Sequence, residues 1–115
     1  MSELVIHMFP CLKDNYGYLL HDADSGATAA VDTPDAAAIL EQLAGKGWRL
    51  THVLNTHHHA DHAGGNLELK RQTGCTIVGP RADAARIPGI DVEVGEGDVV
   101  SLGAHRATVY DTPGH

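Results

Sequence analysis

The sequence is poor in rings: one Trp, three Tyr and one Phe make aromatics 4% of 115 residues. A core built here must come from Val, Leu, Ile and Ala, which is thin for a domain standing alone. Cations are scarce as well, with 8 Lys plus Arg against 15 Asp plus Glu and a formal charge of −7. Affinity for a phosphate backbone comes from clustered Lys and Arg, so a nucleic-acid partner is not expected, and neither is an anionic membrane surface. No apolar run approaches the roughly 20 residues of a spanning helix. Met1-Ser2-Glu3-Leu4 has neither the basic nor the apolar region of a secretion signal, so a cytoplasmic location is expected. Two cysteines, Cys11 and Cys75, form no CxxC pair and no disulfide framework.

What the sequence has instead is histidine, nine in all, with His57, His58, His59 and His62 inside one short stretch. Around that stretch the pattern is regular. Glu3 to Phe9 reads as a strand ended by Pro10, and Tyr16 to His21 as a second. Asp24-Ser25-Gly26 turns the chain into Thr28 to Val31, the hairpin partner of the second strand. Pro34 suits the first turn of a helix capped by Asp32 or Thr33. Ala36, Ala37, Ile39, Leu40, Leu43 and Ala44 form its buried face, and Gly45 and Gly47 stop it. Val53-Leu54 is a short strand, Asn66 to Thr73 a helix closed by Gly74, Cys75 to Val78 a strand and Pro80 to Arg86 a brief helix. Gly95 to Asp98 turns into Val99 to Leu102, onto which Arg106 to Tyr110 pairs back. The order predicts an α/β fold: a mixed sheet with helices on one face, its other face apolar and uncovered by anything in the chain.

Chemistry concentrates in the run Asn55-Thr56-His57-His58-His59-Ala60-Asp61-His62-Ala63-Gly64-Gly65-Asn66, after a strand and before a helix. In extended backbone, residues two apart point the same way, so His57 and His59 can present imidazoles to one metal ion while His58 points away. At a turn entering a helix, Asp61 and His62 can both swing toward a second ion. Gly64 and Gly65 allow close backbone approach next to the site. A solvated His-rich loop would explain the histidines, but not the Asp among them or the flanking strand, glycines and helix.

The pattern His57-x-His59-x-Asp61-His62 after an apolar strand resembles the signature of the metallo-β-lactamase superfamily, and the wider Asn55 to Asn66 run resembles its glyoxalase II branch, the hydroxyacylglutathione hydrolases. Thr112-Pro113-Gly114-His115 resembles the next superfamily motif. Lys13-Asp14-Asn15-Tyr16 followed by Tyr18-Leu19-Leu20 resembles the opening of that branch, and Val31-Asp32-Thr33-Pro34 its strand-end Asp.

The resemblance implies a metallo-β-lactamase αββα sandwich. Residues 1–115 would be the N-terminal half of its metal-binding domain, with the C-terminal half and a substrate-binding helical domain absent. It implies that His57, His59 and His115 hold one metal and that Asp61 and His62 hold the other. Asp61 would also orient the attacking hydroxide as a catalytic residue, and Asp32 would support the ligands from behind. A bridging Asp and a last His would follow residue 115, as would the residues that grip substrate. The implied cofactor is two divalent ions, zinc first, with iron or manganese as alternatives. The implied reaction is hydrolysis of an S-2-hydroxyacylglutathione such as S-lactoylglutathione to glutathione and a 2-hydroxy acid, as in methylglyoxal degradation, by a monomer. The 115-residue chain alone is expected to be inactive. Rival implications are a persulfide dioxygenase, a lactonase or β-lactamase of the same fold, or a non-catalytic metal-binding module. Gly64-Gly65-Asn66 and Asn15-Tyr16 favour the thioester hydrolase.

Overall fold

The structure is a computed structural model that describes residues 4–11, 15–56 and 63–110. Strands β1 (Leu4–Cys11) and β2 (Asn15–Asp22) pair antiparallel, Leu4 opposite Asp22 and Cys11 opposite Asn15. The first strand therefore runs through Pro10 rather than ending there. It is the outermost strand of its sheet, where a residue without an N–H is tolerated. Gly26, with φ 79°, turns the chain into β3 (Thr28–Val31), antiparallel to β2 as the sequence predicts.

From there the strands run parallel, and each needs a crossover. Helix α1 (Ala36–Lys46) leads to β4 (His52–Leu54), α2 (Asn66–Thr73) to β5 (Thr76–Pro80), and a 3-10 helix (Arg81–Arg86) to β6 (Val92–Val94). The six strands lie in the order β1-β2-β3-β4-β5-β6. The three-residue β6 has no counterpart in the sequence reading. A separate hairpin, β7 (Val99–Leu102) with β8 (His105–Thr108), forms a second sheet.

Helix α1 departs from expectation at both ends. Its N-cap is Asp35, whose carboxylate accepts from the Ala38 amide at 3.2 Å, not Asp32 or Thr33, which are engaged elsewhere. At the other end Gly45 lies inside the helix, and Gly47 alone closes it in the left-handed conformation, φ 69°. Of the expected buried face only Ile39 and Leu43 are fully buried, while Ala37 and Ala44 are exposed. Helix α2 matches its predicted span, closed by left-handed Gly74.

The core lies between the six-stranded sheet and these helices, where Leu19, Val53 and Ile77 of the strands meet Ile39, Leu43 and Leu69 of the helices. Phe9 is its one buried ring from a strand, and a Cβ on Gly17, directly opposite on β2, would collide with that ring. On the reverse face the expectation of a wholly bare sheet is only partly met. The β7–β8 hairpin closes over one end, where Leu4, Leu20, Leu54, Val100 and Leu102 line a cavity of about 80 Å³. Elsewhere on that face Ile6, Met8, Tyr16, Tyr18 and Val92 stay exposed. Among the described residues no helix is long and apolar enough to cross a membrane.

Candidate metal centre

Two parallel strands end side by side, with Val31 of β3 opposite Leu54 of β4. Asp32-Thr33 and Asn55-Thr56 leave from these neighbouring carboxyl ends, the usual place for ligands in an open α/β sheet. Asp32 is the one non-glycine with positive φ, 62°, among the described residues. That conformation costs roughly 1–2 kcal/mol and is borne best by Asn or Asp. Three bonds to described residues hold it. The Asp32 amide donates to the Leu54 carbonyl at 2.8 Å, and its carboxylate accepts from the Thr56 amide at 2.7 Å and the Thr56 hydroxyl at 2.8 Å. The last two are charge-assisted, the strong class of hydrogen bond. Asp32 thus braces the backbone one residue before His57.

Next to it lies a buried polar cluster. The Asn55 amide donates to the Val78 carbonyl at 2.8 Å. The Thr33 hydroxyl donates to Asn66 Oδ1 at 2.6 Å, and Asn66 Nδ2 donates to Asn55 Oδ1 at 2.6 Å and to the Pro88 carbonyl at 2.9 Å. Gly65 donates to the Thr33 carbonyl at 2.8 Å. A Cβ at Gly65 would lie 2.9 Å from that carbonyl oxygen and 3.2 Å from Ala36 Cβ. The close approach foreseen for Gly64 and Gly65 is therefore, at Gly65, an approach to the start of α1.

His57, His59, Asp61, His62 and His115 all lie outside the described residues, as do Lys13, Asp14 and the 112–115 motif. What the structure places is the pair of anchors on either side of 57–62: Asn55 and Thr56 before it, Gly65 and Asn66 after it. Imidazole and carboxylate donors suit a divalent transition metal. A donor stretch held at both ends fits such an ion.

The four histidines among the described residues have partners of their own. His7 bonds Gln42 at 2.7 Å, and His21 bonds Thr28 at 2.7 Å while stacking on Trp48 at 4.3 Å. His105 sits 3.5 Å from the buried Asp22 carboxylate. His52 bonds the Thr51 hydroxyl at 2.8 Å, and burial pushes its pKa down. Among the described residues no three metal-ligating side chains converge. Sequence reasoning used Asn66 as a helix start and as part of the family run, without a partner for its side chain. The signal that marks it is its position one turn before the buried Leu69, on the inward face of α2.

Comparison with known proteins follows the same lines. Residues 23–115 match the family model described as the Metallo-beta-lactamase superfamily. A hydroxyacylglutathione hydrolase from Maricaulis maris is 59% identical over 115 residues, all of this chain and 45% of that protein. One from Methylococcus capsulatus is 59% identical over 112 residues, 97% of this chain and 44% of that protein. The chain thus spans less than half the length of the curated relatives it matches. Among solved structures, ETHE1 from Myxococcus xanthus is similar at TM-score 0.74 and 29% identity, over 89% of this chain and 45% of that one. The subclass B3 metallo-beta-lactamase BJP-1 of Bradyrhizobium japonicum is similar at TM-score 0.74 and 26% identity, over 94% and 52%.

Proposed function

The chain belongs to the metallo-beta-lactamase superfamily and has its fold, and on that premise we propose that it is the N-terminal half of the metal-binding domain of a hydroxyacylglutathione hydrolase. The observation that carries this is the 59% identity to the Maricaulis maris enzyme over the whole of this chain. In this proposal His57, His59 and His115 hold one divalent ion and Asp61 and His62 a second, with zinc expected ahead of iron or manganese. Such a pair supplies Lewis acidity and lowers the pKa of water toward about 7.

This chain's own residues then have distinct tasks. Asp61, as well as holding metal, accepts a hydrogen bond from the attacking water and orients it toward the thioester carbonyl. Asp32 holds Thr56, and so fixes where the donor run begins. The departing thiol has an ordinary pKa of about 8.5, so its expulsion needs less acid assistance than an alkoxide would. The substrate, a small anionic glutathione thioester, meets a chain of charge −7. Cations that grip it are therefore assigned to the remainder of the protein, in a helical domain beyond residue 115. The protein is proposed to be a cytoplasmic monomer without nucleic-acid or membrane partners.

The test is an assay of the full-length protein carrying this segment. Cleavage of S-lactoylglutathione, followed by thiol release and abolished by His59→Ala, is the expected result. Oxygen uptake with glutathione persulfide and no thioester cleavage would replace the proposal with the dioxygenase. The 115-residue chain by itself is expected to bind at most one metal, weakly, and to turn over nothing. Two tightly held metals together with turnover would overturn the half-domain assignment.

A further inference from the structure

Asn66 is wholly buried at the start of α2, four positions after His62. Its side-chain amide makes three hydrogen bonds: Oδ1 accepts from Thr33, and Nδ2 donates to both Asn55 and the Pro88 carbonyl. The orientation is dictated by chemistry, because a carbonyl can only accept and the amide nitrogen must face it. Asn55 stands two positions before His57. One side chain therefore joins the residue that enters the donor run to the residue that leaves it, and ties both to Thr33 at the end of the neighbouring strand. Two bonds from backbone amides run alongside this clasp, Thr56 N–H to the Asp32 carboxylate and Gly65 N–H to the Thr33 carbonyl. Among the described residues no side chain caps the start of α2, whose N-cap is Gly65.

We propose that Asn66 is a positioning residue for the metal centre. By fixing the distance between the two ends of residues 57–62, it spares His57, His59, Asp61 and His62 the entropy of ordering an open loop when they close on an ion. The inference rests on the metal-binding role proposed above. Residues that act on a metal through its ligands are typically worth about 10–100-fold in affinity, and that is the loss expected of Asn66→Ala.

The experiment measures zinc affinity by competition with a chelating dye, and amide exchange of the metal-free protein by NMR, on the full-length protein that carries this segment. Asn66→Ala is compared with the milder Thr33→Val, which keeps volume and removes only the hydroxyl donor to Asn66. Leu69→Ala, which removes a buried core side chain of the same helix and leaves the Leu69 backbone amide bonded to Gly65, serves as control. Asn66→Ala is expected to weaken zinc binding about 10–100-fold, with Thr33→Val in the same direction but smaller. Exchange should rise at Thr56 and Gly65 while β4 and β5 stay protected. Leu69→Ala should raise exchange throughout and leave the zinc affinity of the folded molecules unchanged. Zinc affinity unaltered by both clasp variants, or lowered equally by Leu69→Ala, would overturn the inference while leaving the metal site standing. A wild-type full-length protein that binds no zinc would overturn the metal site, and the positioning role with it.

Discussion

Asp32 shows how much one residue can carry. Its backbone lies where most side chains are strained, and its carboxylate holds the segment that leads into the donor run. Asn shares the tolerance for that conformation and keeps one acceptor oxygen; Ala has neither property. Asp32→Asn is therefore expected to cost about 1 kcal/mol and Asp32→Ala about 2–3 kcal/mol, as read by urea denaturation. Equal losses from the two would contradict this account. His52 supplies a pH dependence. Its pKa is lowered by burial, so the unfolded chain takes up the proton first and stability falls as pH drops below the ordinary value of 6.5. The thermal midpoint should decline from pH 7 to pH 5, and His52→Gln should flatten that decline. Sequence showed little of this. The donor run announces itself by spacing, but the partners of Asp32, Thr33 and Asn66 lie 11 to 33 positions away, and only the fold brings them together.

Elements were legible where their signals are local. Gly26 marks the β2–β3 turn and Gly74 the end of α2, because each must adopt positive φ within the span it terminates. The start of α1 misled because Asp32, Thr33 and Asp35 are all good caps by type. The choice fell to Asp35 once Asp32 turned to Thr56 and Thr33 to Asn66. Asp35→Ala should accordingly destabilise by about 0.5–2 kcal/mol. Thr33→Val should leave the helical signal of α1 intact by circular dichroism, and a loss of α1 helicity from that variant would restore the cap first expected. Pro10 misled for the opposite reason: a breaker in isolation, it is accommodated on an edge.

At the scale of the whole molecule, the two faces of the large sheet differ. One is packed under helices and holds the core; the other keeps Ile6, Met8, Tyr16 and Tyr18 in water except where the β7–β8 hairpin covers it. A contiguous apolar surface of this kind binds hydrophobic dyes. The 115-residue chain should do so strongly, and paired Ile6→Thr and Met8→Thr should reduce the signal with a stability change within about 0.5 kcal/mol. Unchanged dye binding would place the accessible surface elsewhere.

The strand order has a consequence for synthesis. Every strand of the large sheet lies beside the one made just before it. A chain leaving the ribosome can therefore add strands one at a time to a growing edge, without waiting for a distant segment to fill a gap. Each pairing closes only a short loop or a single crossover, which keeps the search local. The anchors on either side of the donor run belong to this sequentially built region, so the frame around 57–62 can be assembled while the remainder of the polypeptide is still being translated.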